Sequence, residues 1–390
     1  MAGNGPATAL AAANALRAGF ANGATLASLT ADVPGFGAPN FFNVANDIQS
    51  PRFQEWNLQV EQAIGTKSAV SLKYVGNHGI FEQINNTGLN TFFPGPDTFA
   101  GLPSAPTDPR FLQISEASAG YTSNYHGMTA SFSRRLSSLQ FQLNYTWSHA
   151  LDFVSNAGNP LQYNASTNLS ITSPVNPFNV RQNMYGNADY DVRQNFTANY
   201  VYTSPKFTGW RMVASNWTVA GTIFAHTGLP FTVIDSDIGS LLAGFGYGGA
   251  SAVGATFANQ TGGGVVNCGS EFAKLNSQPC PGLVNNFVSA LGFGTQRRNQ
   301  AYGPKYFNTD LTLKKAFALP HLGEKTNLSF GVTFYNLFNH PNFDQPDGDV
   351  ASPTFGSIQS TVNSPTSIYG ALLGADAAPR LVQTELKISF

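Results

Sequence analysis

The segment "LQFQLNYTWS" sets the tightest limit on what this chain can fold into. Leu139, Phe141, Leu143, Tyr145 and Trp147 are apolar, and Gln140, Gln142, Asn144, Thr146 and Ser148 between them are polar without exception. Successive strand residues face opposite sides, so the segment has one oily face and one wet face. A helix would bring Phe141 and Asn144 onto overlapping faces, so the helical reading fails. The pattern returns in "NFTANYVY", in "TNLSFGVTF" and in the closing run through Val382, Thr384, Leu386, Ile388 and Phe390. Weaker copies run through Trp56 and Val60, Val70 and Tyr74, Met128 and Phe132, Trp217 and Ile223, and Phe307 and Leu313. The spacing predicts roughly nine strands, each near the ~9–11 residues that a tilted strand needs to cross a bilayer. Soluble strands average about 5–6 residues. An all-β, transmembrane antiparallel barrel is the fold class this favours.

The connections point the same way. Short links pass through Gly65, through Ser137 and Ser138, through Pro205 and Gly209, and through Pro320 and Gly323. Long ones fill the stretches from Val75 to Tyr125, Asp152 to Asp191, Thr227 to Pro304 and His340 to Pro379. Outer-membrane barrels alternate short periplasmic turns with long extracellular loops, whereas a soluble sandwich has no reason to sort loops by end. With short turns in the periplasm, the last strand runs inward and Phe390 ends on the periplasmic side. Residues 1–50 then form an extracellular-side loop or irregular segment, and residues 51–390 form the barrel part. A complete bacterial barrel has an even strand number. An odd count with its start outside implies either a further strand within residues 76–124 or a barrel truncated upstream. The start "MAGNGPATALAAANALRAGF" has no basic region followed by an apolar core, as a secretion signal would, which favours truncation.

Composition excludes other classes. Only 11% of residues are charged, against about 25% in soluble domains, and Asn, Gln, Ser, Thr, Gly and Phe fill the gap. A net charge of −1 offers no basic surface for nucleic acid. No apolar run is long enough for a membrane helix, and 13% aromatic residues argue against disorder.

Several blocks carry a family resemblance: "SPRFQEWNLQVEQAIGTKSAVSLKYVGNHG", "NYHGMTASFSRRLSSLQFQLNYTWSHALD", "DYDVRQNFTANYVY", "YFNTDLTLKKAFAL", "FYNLFNHPNF" and "PRLVQTELKISF". Together they resemble TonB-dependent outer-membrane receptors of the Oar-like type, common in acidobacteria, which carry an N-terminal carboxypeptidase-regulatory-like domain. The resemblance implies a 22-stranded barrel closed by a plug that contacts TonB, with this chain supplying about nine or ten C-terminal strands. No plug, TonB box or regulatory-like domain precedes residue 40 in this pattern, so TonB would be reached only through a plug outside this chain. The implied partners are outer-membrane lipid, the barrel assembly machinery and a ligand of unknown identity, in the cell outer membrane.

Some residues are candidates for specific roles. Trp56, Tyr74, Trp147, Trp210 and Trp217 fall near strand ends, where amphipathic rings form the aromatic girdles of barrels; core packing in a soluble fold is the competing reading. Lys73, Arg134 and Arg135 fall near a turn or on the wet face. Val382, Leu386, Ile388 and Phe390 resemble the terminal signal read by the assembly machinery, a recognition that strand addition would supply. Cys268 and Cys280 lie in a long loop, close enough to close a disulfide that could stabilise it by about 3 kcal/mol; two free thiols are the alternative.

No enzyme, cofactor or metal is expected. "GFGYGG" (Gly244, Gly246, Gly249) has dinucleotide-like spacing but lies among loop residues, without a strand before it and a helix after it. "DQPDGD" (Asp344, Asp347, Asp349) would need a Glu where Phe355 stands to be a calcium loop of the EF-hand kind, so it reads as a turn. The six His are scattered, and no GxSxG singles out a nucleophile. Two rival functions remain: a smaller self-contained porin or adhesin barrel, and a secreted carbohydrate-binding β-sandwich.

Overall fold

Each alternating segment forms a strand in the computed structural model. It describes residues 6–32, 40–93, 99, 101–153, 155, 174–205, 207, 211–238, 256–262, 264–268, 279–289, 291–319, 326–362 and 380–389. The nine long strands are β1 (Arg52–Ile64), β2 (Ser68–Asn86), β3 (Ile114–Arg135), β4 (Leu139–Asp152), β5 (Gln194–Thr203), β6 (Trp217–His226), β7 (Tyr306–Ala318), β8 (Asn327–Tyr335) and β9 (Leu381–Ser389). Each pairs antiparallel with its neighbour in sequence, giving one continuous meander from β1 to β9. Two short strands, Phe41–Val44 beside β3 and Gly186–Asn187 beside β4, widen its margin. A single sheet of this kind is not a two-sheet sandwich.

The register keeps the faces apart. Leu143 stands opposite Phe132 on one side and Ala198 on the other. Gln142 stands opposite Ser133 and Asn199. A one-residue slip would exchange the faces of a whole strand, so the oily and wet rows fix the pairing. Both outermost strands are exposed along their whole length, β1 at all 13 residues and β9 at all 9. Among the described residues the sheet is open between them.

Turns 65–67, 136–138, 204–216 and 319–326 lie at one end. Connections 87–113, 153–193, 227–305 and 336–380 lie at the other. This is the sorting of loops that the sequence implies. Of the two alternatives raised by the odd count, a further strand within residues 76–124 does not occur among the described residues. Instead β2 runs on to Asn86 and β3 begins at Ile114. The extension is hidden from a period-two reading by irregularities, with register shifts from Gly79 to Glu82 and from Glu82 to Ile84. Phe81 takes φ 59° and Gly120 φ 102°. A bulge inserts an unpaired residue and exchanges the faces beyond it.

The N-terminal segment, expected as loop or irregular chain, is partly helical: α1 (Pro6–Ala21) and α2 (Leu26–Asp32). Ala-rich sequence has the best helix propensity, and Pro is tolerated in a first turn. Gly23 at φ 73° follows the end of α1, a left-handed stop that glycine adopts freely. The Arg110 guanidinium donates to the Phe20 carbonyl at 2.8 Å and covers the Phe20 ring, with Phe111 edge-on at 5.0 Å. A cation at a helix C-terminus is favoured by the helix dipole, and this contact ties α1 to connection 87–113.

The buried core lies among the long connections. One cluster gathers Ile84, Phe93, Phe99, Tyr121, Phe153, Met184, Phe257 and Phe293 with their neighbours. A second gathers Phe231, Val233, Val266, Cys268, Cys280, Leu283 and Phe287.

On the sheet itself, the space above Gly76 is taken by the Trp56 indole across the strand pair. A methyl group there would have to displace the ring. Gly76→Ala is expected to cost about 1–3 kcal/mol and to lower the urea midpoint of the detergent-refolded protein. An unchanged midpoint and Trp emission would show that the indole is not seated there.

Candidate functional site

Two surfaces can meet a ligand: the wet face of the sheet and the folded long connections above it. The wet face is the concave one. A cavity of ≈ 790 Å³ opens over it near the short-turn end, lined among others by Arg135, Gln140, Gln142, Asn199, Thr222 and Asp310. Hydrogen bonds knit the face across strands. Asn144 donates to Thr197 at 3.1 Å, Thr312 and Thr333 meet at 3.0 Å, and the Tyr335 hydroxyl donates to Gln383 at 3.0 Å. Lys314 pairs with Glu385 at 3.2 Å.

The opposite face carries the aromatic candidates. Trp56 shares a cross-strand row with Gly76, His126 and His149, and Tyr74 and Trp147 share the next row with Leu58 and Met128. Tyr74 and His126 Nδ1 are 2.8 Å apart. Trp217 lies at the other end of the sheet, opposite Lys315 and bonded to Ser204. Trp147 stands opposite Gln194, ten positions along β5 from Ser204. Ten residues rise about 33 Å along a strand, or about 25 Å across a membrane at a tilt of ~40°, the height of the apolar band of such barrels. Lys315 falls on this face yet is buried. Its ammonium donates to the Val213 and Ser215 carbonyls and sits over the rings of Trp217 and Phe317. Turn 204–216 thereby absorbs the charge. Trp210 and Phe390 lie outside the described residues. Val382, Leu386 and Ile388 are exposed along the apolar face of β9.

Long-range polar ties hold the connections in place. Arg298 donates through both terminal nitrogens to Asp152 Oδ1, at 2.7 and 2.6 Å, and to Ser155 Oγ at 2.8 Å. Asp189 Oδ1 lies 3.3 Å from the same guanidinium and accepts from the Asn299 amide at 2.6 Å. Arg298 and Asp152 side chains are both 5% exposed. The end of β4, connection 153–193 and connection 227–305 therefore meet at one buried charge cluster. Nearby, Asp191 accepts from the Ala150 N–H at 2.8 Å and meets His149 at 3.2 Å. Cys268 and Cys280 are joined by a disulfide inside the second core cluster. Nothing local in the sequence marks Arg298, because its partner is 146 positions away.

The carboxylates of "DQPDGD" are turned to their own surroundings. Asp347 accepts from Thr354 at 2.7 Å and from the Asp349 N–H at 3.1 Å. Asp349 accepts from the Ser236 N–H at 3.1 Å and the Ala351 N–H at 3.1 Å. Asp344 accepts from the Gln345 N–H at 2.8 Å and from Ser360 at 3.0 Å. Burial pushes its carboxyl up to about 6 despite those bonds. Among the described residues no three His, Cys, Asp or Glu converge as metal ligands. Gly244, Gly246 and Gly249 lie outside the described residues.

The family profile described as "Outer membrane beta barrel domain" matches residues 2–383. The chain belongs to this family. It is an outer-membrane protein, and the secreted-sandwich reading is set aside. No curated protein matches it. Among solved structures, the outer membrane transporter YddB from Escherichia coli is similar at 10% identity and TM-score 0.42, covering 93% of this chain and 35% of its own. The FrpB iron transporter from Neisseria meningitidis is similar at 12% and 0.35, covering 81% and 31%. Pseudomonas aeruginosa FpvA bound to a pyoverdine–iron complex is similar at 12% and 0.38, covering 88% and 28%. The chain spans about a third of the length of these structures.

Two outcomes follow for the loops. Arg298→Ala leaves Asp152 and Asp189 buried without their cation, and breaking such a pair costs about 3–5 kcal/mol. Amide hydrogen exchange should accelerate in both 174–193 and 291–302; unchanged exchange would mean the cluster does not tie them. For Asp344, the folded carboxyl binds its proton more tightly than the unfolded one. Loop stability therefore falls as pH rises from about 4 to about 6, and at neutral pH the burial costs about 3 kcal/mol. Asp344→Asn should slow exchange of residues 343–360 at pH 7.5 and have little effect at pH 4. A slowing of equal size at both pH values would sink this account.

Proposed function

We propose that this chain is the C-terminal wall segment of a TonB-dependent outer-membrane receptor of the Oar-like type. The strands form about nine of a 22-stranded barrel, and the long connections capture a ligand for uptake. The observation that carries the reading is the sorting of connections by end, with the long set folded around its own core. Turns that only reverse the chain need no core; loops that present a surface to a ligand do. The blocks listed for the resemblance lie mainly on β1 to β9, and the family assignment supports the same placement in the membrane.

On this reading Trp56, Tyr74 and Trp147 form the outer aromatic girdle and Trp217 belongs to the inner one. The apolar face of β9 is the signal met by the barrel assembly machinery. The disulfide and the Arg298 cluster hold the capture surface in one shape before a ligand arrives. Force from TonB reaches the barrel through a plug domain, and this segment contributes no catalysis.

Topology supplies the test. Ser137→Cys places a thiol in a short turn, and Thr261→Cys places one in the longest connection; the native cysteines are paired and do not react. A membrane-impermeant maleimide should label Thr261→Cys on intact cells and Ser137→Cys only after the outer membrane is opened. The reverse pattern would overturn the orientation, and labelling of both on intact cells would overturn the membrane placement.

A further inference from the structure

The ≈ 790 Å³ cavity on the wet face has a charge pattern that the wall role alone does not require. At one end stand Lys67 and Arg135, and at the other stands Asp310. Among the described residues neither cation has a carboxylate partner. Asp310 has no cation either; its Oδ1 accepts from the Asn336 N–H at 2.9 Å and the Asn308 amide at 3.1 Å. The floor between the ends is made of amides and hydroxyls, with Gln140, Gln142, Asn199, Thr222 and Thr312 along it.

The register gives the distance. Arg135 stands opposite Gln140, Gln140 opposite Val201, Val201 opposite Ala220, and Ala220 opposite Thr312, two positions from Asp310. Four strand spacings separate the cationic end from the anionic end, about 19 Å along the sheet. An extended chain of about six residues spans that length. Its backbone N–H and C=O groups need partners of both kinds, and a floor of side-chain amides and hydroxyls offers both.

We infer that this groove binds a short extended peptide, about six residues long, with its free carboxylate at Lys67 and Arg135 and its free ammonium at Asp310. A neutral sugar would fit the floor but leave both charged ends without counter-charges. A simple anion would use one end and be repelled by the other. Only a ligand carrying opposite charges at its two ends answers the whole groove. The inference rests on the barrel reading above, because it takes the concave wet face to be a lumen.

The probe is hexa-alanine with free termini, titrated into the full chain refolded in detergent, with maltohexaose as the neutral comparison. Hexa-alanine should bind at least tenfold more tightly than maltohexaose. Acetylating its amine should weaken binding about tenfold in the parent protein and hardly at all in Asp310→Asn. Amidating its carboxylate should do the same for the parent against Arg135→Gln. Equal affinity for both probes, capping losses that persist in the variants, or no binding of hexa-alanine would each overturn the peptide proposal. The maleimide labelling described above separates the two levels: the expected labelling pattern without hexa-alanine binding sinks the peptide alone, and labelling of both cysteine variants on intact cells sinks both.

Discussion

The ladder between sequence neighbours is the constraint on which everything else rests. In hydrocarbon no water is present to satisfy a backbone N–H or C=O, so a spanning strand must find its partners in adjacent strands. The meander from β1 to β9 achieves this by pairing each strand with the one before it. The cross-strand rows then follow from the register. Gln142 falls beside Asn199 and Leu143 beside Ala198, so the two faces become chemically distinct without any interior.

A wall that exposes one face to lipid and the other to water has nowhere to bury a core. The chain places its core in the long connections instead, where Phe93, Phe153, Met184, Phe257 and Phe293 pack together although they lie far apart in sequence. Arg298, the Cys268–Cys280 bridge and the Asp191 contacts belong to this same region. On the receptor reading proposed above, the part of the molecule that meets a ligand is therefore its most protein-like part. The wall is a scaffold that brings four separated connections to one place.

Strands, faces and the sorting of connections were legible because they are properties of local periodicity. Trp147 and Gln142 announce their faces through their immediate neighbours. The reading failed where periodicity is interrupted: the irregularities around Phe81 and Gly120 concealed the outer halves of β2 and β3. It was also silent on α1, whose Ala-rich run suggests a helix through propensity and not through an amphipathic pattern. The candidate site was less legible still. Arg135 was placeable near a turn or on the wet face, but its relation to Asp310 is a matter of register across five strands. Arg298 and Asp152 meet only because two long connections fold over each other, and no spacing rule reaches that far.

The two open edges carry one further consequence. In an alternating meander of nine, β1 and β9 run in the same direction, both from the long-loop end toward the short-turn end. Joining them directly, or joining β9 of one copy to β1 of a like-oriented second copy, would create a parallel seam in an otherwise antiparallel wall. A seamless antiparallel ring therefore demands that whatever fills the gap contribute an odd number of strands. Counting parity in this way turns strand direction into a selection rule: it discriminates among closing partners before any side chain is compared.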